Sequence, residues 1–135
     1  MREPCLVQWA ESESPELANE PERLREVISL LHASFQGQPT TLEVRVADDT
    51  LYLGVGAPET AVLIHRPEIG SGWTEEFTSQ GDSKRNDEID FYLFGHHTPH
   101  SGTNVVAFGI ALEAVLEFCR TGDLPGSLQW EKNRF

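Results

Sequence analysis

The sequence predicts an α+β fold: an antiparallel-dominated sheet of about five to seven strands with two helices packed on one face. Three observations lead there. Two amphipathic stripes at helical spacing lie one towards each end of the chain. Between them run short segments in which apolar and polar residues alternate. Turn residues separate those segments, and no repeat, low-complexity tract or linker interrupts them, so residues 1–135 are read as a single domain.

Residues 4–10 contain Cys5-Leu6-Val7-Gln8-Trp9, a first strand, followed by the polar and acidic loop Glu11–Pro15. Asn19-Glu20-Pro21-Glu22 reads as a helix start, with Asn19 as cap, Pro21 in the first turn and Glu22 completing a capping box. Leu24, Val27, Ile28, Leu31 and Phe35 then form one apolar stripe, and Gly37 and Pro39 end the helix. Leu42, Val44 and Val46 alternate with Glu43 and Arg45. Asp48-Asp49 turns the chain into Leu51-Tyr52-Leu53, a β-hairpin whose second strand is expected to break at Gly54, Gly56 and Pro58.

Ala61–His65 is a continuous apolar run and predicts a strand buried on both faces. Gly72–Phe77 predicts another strand, with Trp73 and Glu75 on one side and Glu76 on the other; Gln80–Asp87 is a charged loop. In Ile89–Phe94, Ile89, Phe91 and Leu93 alternate with Asp90, Tyr92 and Phe94, which predicts a strand with a partly aromatic outer face. Phe108, Ala111, Leu112, Val115, Leu116 and Cys119 make the second helical stripe, opposite Glu113, Glu117 and Arg120. Gly122 occupies the place of a left-handed cap, and Pro125 prevents the helix resuming. Leu128 and Trp130 alternate with Gln129 and Glu131 in a terminal strand, expected beside one of the central strands.

Twenty-two acids against ten bases give a formal charge of −12. Such an excess repels nucleic-acid phosphates and anionic membranes and favours fast association with a basic partner. The start of the chain has no signal-peptide-like apolar run, and no stretch is long and apolar enough to span a bilayer, so the expected location is the cytoplasm. Cys5 and Cys119 do not make a disulfide framework; Cys119, on the apolar helix face, reads as an inert core thiol.

Catalytic motifs are sparse. His96-His97-Thr98-Pro99-His100, with His32 and His65 elsewhere, is the strongest candidate, because imidazoles bind transition metals. Neighbouring histidines on a strand point to opposite faces, and no spacing matches a zinc site, so a polar turn is the simpler reading. There is no Gly-x-Ser-x-Gly elbow, and Gly54-Val55-Gly56 and Gly70-Ser71-Gly72 are too short for phosphate loops. Lys84-Arg85, Lys132 and Arg134 are scattered among acids, which leaves no cationic groove for nucleic acid. Glu75, Glu76, Asp82, Asp87, Glu88 and Asp90, flanked by Trp73 and Tyr92, form instead an acidic and aromatic surface suited to a protein partner.

The C-terminal sequence carries a family resemblance. A helix ending at Arg120, then Thr121-Gly122-Asp123-Leu124-Pro125, then Leu128-Gln129-Trp130-Glu131, resembles the immunity proteins of bacterial polymorphic toxin systems, specifically the first-numbered family, Imm one. The resemblance runs from the paired strands near Leu42 onward; Gly72-Trp73 and Ile89–Phe94 fit its pattern loosely, and the histidine-bearing loop Gly95–Gly102 departs from it. The resemblance implies a small α+β protein whose partner is a toxin, often one resembling a nucleic-acid deaminase. Such a toxin captures a single base over a zinc-activated water, so covering its pocket suffices for protection.

The function expected is therefore that of a non-catalytic immunity protein, without cofactor or metal, that blocks the active site of a basic, nucleic-acid-acting toxin and itself binds neither nucleic acid nor membrane. The expected contacts are Trp73, Glu75, Glu76, Asp87, Asp90, Tyr92, His96 and His97. Two other readings stand beside it. One is a small metal-dependent enzyme using His96, His97 and His100 with a nearby carboxylate. The other is a secretion adaptor or chaperone for a neighbouring effector, which would bind without abolishing toxicity.

Overall fold

The computed structural model describes residues 4–9, 14–47, 49–66, 75–81, 87–91 and 99–134. Strands β1 (Cys5–Gln8) and β2 (Glu16–Ala18) precede helix α1 (Pro21–Ser34), and the long strands β3 (Thr40–Val46), β4 (Asp49–Ala57) and β5 (Thr60–His65) follow. Next come β6 (Glu75–Ser79), β7 (Glu88–Asp90), β8 (Pro99–Ser101), a 3₁₀ turn at Gly102–Asn104 and the two-residue β9 (Val106–Ala107). Helix α2 (Phe108–Thr121) and strand β10 (Trp130–Arg134) complete the described elements. The main sheet runs β10-β6-β5-β4-β3-β1-β2, with β9 beside β5 as its eighth strand. Every neighbouring pair in it is antiparallel. The α+β class expected from the sequence is the one found.

Register explains why one face takes both helices. Leu42 opposes Leu53 and Val44 opposes Leu51, while Leu51 and Leu53 oppose His65 and Leu63. Side chains alternate along a strand, so these residues share a face with Cys5 and Val7 of β1. That face packs against Leu24, Val27 and Ile28 of α1 and Ala111, Leu112, Val115 and Phe118 of α2 in one continuous core. Each fully buried aliphatic side chain there stabilises by about 1.5–3 kcal/mol relative to exposure. Cys5 and Cys119 meet in this core; hydrogen bonding to Cys5, then burial, pushes the Cys119 thiol up and leaves it unreactive.

Helix α1 starts without the capping box expected of it. Glu20, in extended conformation, is the N-cap, no side chain bonds the free N–H groups, and Pro21 occupies the first position. Proline has no N–H to satisfy, which reduces the need for a side-chain cap at Asn19. Helix α2 ends as expected, with Gly122 left-handed at φ 77 and its N–H donating to Phe118 O.

Strand β4 does not break at Gly54 and Gly56. It continues to Ala57 through a register irregularity between Gly54 and Ala57, with Gly56 at φ 95. The glycines serve the packing here. The Gly56 N–H donates to His32 Nδ1 at 3.0 Å, and its carbonyl accepts from Gly37 N–H, so the bulge fastens the end of α1 to the sheet. The His32 ring also stacks on Phe108, with centroids 3.8 Å apart, which brings the start of α2 to the same point.

The second face has a cover the sequence did not reveal. Strands β7 and β8 form a separate two-stranded hairpin. Phe91, fully buried, joins Ala57, Val62, Ile64 and Val105 in a second apolar cluster, with Tyr52 and Ile89 against it. A Cβ at Gly54 would lie 2.6 Å from Phe91 Cδ1, so the ring rests on bare backbone. Ala61–His65 is thus buried on both faces, as expected. Only Ile89 and Asp90 of the expected strand Ile89–Phe94 are in β7; residues 92–94 lie outside the described set. The terminal strand, expected beside one of the central strands, has β6 as its neighbour. β10 is the edge of the sheet, paired with β6 alone among the described strands, with Trp130 opposite Ser79 and packed against the helical-side core. Its indole N–H donates to Pro125 O at 2.8 Å and fixes the preceding turn.

Gly54→Ala is expected to cost about 1–3 kcal/mol by forcing Phe91 off its seat, and combining it with Phe91→Leu should give less than the summed loss; urea unfolding of the three variants measures both. A second expectation concerns pH. Burial holds the His32 imidazole below its ordinary pKa, and accepting from Gly56 N–H requires a bare Nδ1. The unfolded chain therefore gains this proton at higher pH than the folded one, so the stability tied to His32 is complete above about pH 6.5 and declines as pH falls through the folded value. His32→Gln, which keeps an acceptor and cannot titrate, should flatten that acid decline in unfolding curves taken across pH.

Candidate functional site

The face of the sheet away from the helices carries Glu76, one of the residues singled out for function. Glu43 opposes Tyr52, Tyr52 opposes Ile64 and Ile64 opposes Thr78. Alternation therefore sets Glu43, Tyr52, Ile64, Thr78 and, two residues before Thr78, Glu76 on this outer face. Arg66, just past the end of β5, donates from Nε to Glu76 Oε1 at 2.7 Å. Both side chains are largely buried, 26% exposed for Arg66 and 15% for Glu76. The Arg66 guanidinium also lies 5.6 Å from the Tyr52 ring centre, within cation–π range. Glu43 is paired more loosely with Arg45 at 3.6 Å. Burial, then the nearby Glu43 carboxylate, pushes the Tyr52 hydroxyl up, against the opposing influence of Arg66 and Arg45.

The hairpin β7–β8 stands over one end of this face. Glu88 opposes Ser101, Ile89 opposes His100 and Asp90 opposes Pro99. Ile89 turns inward to the Phe91 cluster, so Glu88 and Asp90 turn outward, and both are exposed. Asp87 is exposed as well, and its carbonyl accepts from Gly102 N–H at 2.7 Å, which anchors the hairpin to the 3₁₀ turn. His100 packs against Phe91, ring centres 5.7 Å apart. Burial lowers its pKa, while the neighbouring Glu76 and Asp90 carboxylates raise it against Arg66.

The structure thus brings Glu76 and Asp90 together around His100, with Asp87 at the start of the same hairpin. Glu75 opens β6 and is paired in register with Arg134. Trp73, Tyr92, His96 and His97 lie outside the described residues. Three members of the site escaped sequence reasoning as site residues: Glu43, Tyr52 and Arg66. The hairpin register offered a signal for the first two, because alternation puts Glu43 and Tyr52 on the side opposite Leu42 and Leu53. Nothing local marks Arg66 as the partner of Glu76. Among the described residues no group of three or more histidine, cysteine, aspartate or glutamate side chains could hold a metal ion. Among them also, no helix is long and apolar enough to cross a membrane.

A two-sided sheet carrying helices on one face and a paired-charge floor beneath an acidic hairpin on the other defines a small α+β protein built to present a surface. The family described as Immunity protein Imm1 matches residues 12–132, and the chain belongs to that family. Its role is that of an immunity protein, with a cognate toxin as partner. The match begins well before Leu42, so β2, α1 and the start of β3 fall within the family pattern as well. No curated protein matches the chain.

Arg66→Met should destabilise the fold by about 1–3 kcal/mol, since it strands a largely buried carboxylate. Arg66→Met combined with Glu76→Gln should recover part of that loss. Urea denaturation of the single and double variants checks this, and purely additive losses would show that the two side chains act independently.

Proposed function

We propose that the chain neutralises its toxin by binding rather than by chemistry, seating an acidic surface in the substrate path of a basic domain that acts on nucleic acid, of the deaminase kind. The family match over residues 12–132 carries the reading. The charge of −12 and the exposed acids of β7 give it a physical form. A toxin that handles nucleic acid carries basic groups around its substrate groove. Carboxylates can occupy that groove in place of phosphates, and aromatic side chains supply desolvated anchors.

The proposed contacts are Trp73, Glu75, Glu76, Asp87, Asp90, Tyr92, His96 and His97. Geometry divides the labour among those described. Glu76 is already engaged by Arg66 and would hold the floor beneath the partner. Asp87 and Asp90, exposed on the hairpin, would supply the attraction across solvent.

Titrating the toxin domain's activity with purified immunity protein tests the reading. Activity should fall in proportion and vanish at equimolar ratio, and full activity in the presence of excess chain would sink it. Asp87→Asn with Asp90→Asn should slow association about tenfold at low salt and weaken the salt dependence of the association rate, with little change in dissociation. Stopped-flow or surface-binding kinetics over a salt series measures this; an unchanged association rate would place the attraction elsewhere.

A further inference from the structure

A groove of about 550 Å³ opens where the end of β6, the 3₁₀ turn and the approach to β10 converge. Gln80, Thr103, Ser127, Leu128, Gln129 and Glu131 face it. It lies beside the edge strand β10, and none of the contacts proposed above lines it.

Its walls are tied together by the backbone. The Gln80 N–H donates to Gln129 O at 3.0 Å and the Gly81 N–H to Thr103 O at 2.8 Å. Ser79 Oγ donates to Asn104 O at 2.8 Å, and Asn104 Nδ2 returns a bond to Ser79 O at 3.0 Å. Gly81 sits so close to the Val105 carbonyl that any Cβ would collide with it. The groove is therefore preformed, and a ligand would not have to order its walls.

Its chemistry is selective. Glu131 is the only ionisable residue among the described residues lining it. Asn104 Nδ2 reaches Glu131 Oε2 at 3.3 Å and holds one carboxylate oxygen, leaving the other to a ligand. The remaining polar side chains are hydroxyls and primary amides, whose oxygens accept in several directions, and Leu128 offers an apolar wall. One negative charge, several neutral acceptors and an apolar strip match a group with a cation, several donors and a hydrocarbon stem. Arginine is such a group, and its five N–H donors fit dispersed acceptors better than a lysine ammonium does.

We propose that this groove receives an arginine side chain of the partner, forming a second contact region at the β10 edge, separate from the acidic hairpin. The assignment rests on the toxin-binding reading for the identity of the partner, while its chemistry is testable without any toxin.

The test titrates the isotope-labelled full chain with N-acetyl-arginine amide and follows backbone amide signals by NMR. Saturable shifts centred on Gln80, Gly81, Thr103 and Gln129 are expected. N-acetyl-lysine amide should bind more weakly, and the uncharged norleucine analogue should leave these signals in place. Glu131→Gln should weaken arginine binding about tenfold, as loss of one charge-assisted contact does, without shifting signals of the helical core. Shifts that are non-saturable, lie elsewhere, persist undiminished in Glu131→Gln or are matched by the lysine probe would overturn the assignment. Because no toxin enters the experiment, its failure leaves the immunity role untouched, and a failure to inhibit toxin leaves the groove assignment untouched.

Discussion

The seating of the Phe91 ring on the bare backbone of Gly54 is the contact on which the second layer of this protein depends. A sheet carrying helices on one face still has Val62 and Ile64 of β5 to cover on the other. Phe91 and Ile89, at the β7 strand, do so together with Val105. The Phe91 ring reaches the sheet at Gly54, where a side chain would otherwise stand. The inward turn of Ile89 and the outward turn of Glu88 and Asp90 follow from that seating, since alternate residues of a strand must face opposite ways. The acidic surface is thus a by-product of how the second core is closed.

Charge on this side of the molecule is divided into two kinds. Close to the sheet, carboxylates are matched by neighbouring guanidinium groups, Glu76 by Arg66 and Glu43 by Arg45. A buried carboxylate without such a partner would bear the full desolvation penalty. Out on the hairpin, Asp87, Glu88 and Asp90 are exposed, where retaining their charge carries a smaller penalty. The first kind shapes a floor and the second shapes a field. An inhibitor that works by occupying a groove needs both, a surface that does not collapse and an attraction that extends beyond contact distance.

Much of the fold was legible in the sequence, for identifiable reasons. The two helices announce themselves through long apolar stripes, and Gly122 marks the end of α2 because only its left-handed backbone closes the helix so simply. The hairpin of β3 and β4 shows in its alternation. Legibility fails where a local rule is overruled at a distance. Gly54 and Gly56 look like breakers, yet here one makes room for a ring and the other for a bulge bonded to His32. Strands β7 and β8 have three residues each, too few for a period to emerge. Of the site, Glu76, Asp87 and Asp90 could be proposed from composition, but their relation to Tyr52, Arg66 and His100 exists only once the chain is folded.

The two-sided burial of β5 has a consequence for how sequence can drift. In most half-exposed strands a slip of one residue is forbidden by polarity, because it would turn charged groups inward. Ala61–His65 has no such guard: its two faces are both apolar apart from His65, and a slipped strand would look nearly as oily from either side. Alignment must therefore be enforced by shape and by point contacts, such as the Ser79 hydroxyl that accepts from Leu63 N–H at 3.1 Å. Aliphatic exchanges along β5 should accumulate freely among descendants of this chain, while Ser79, which holds it in step, stays fixed.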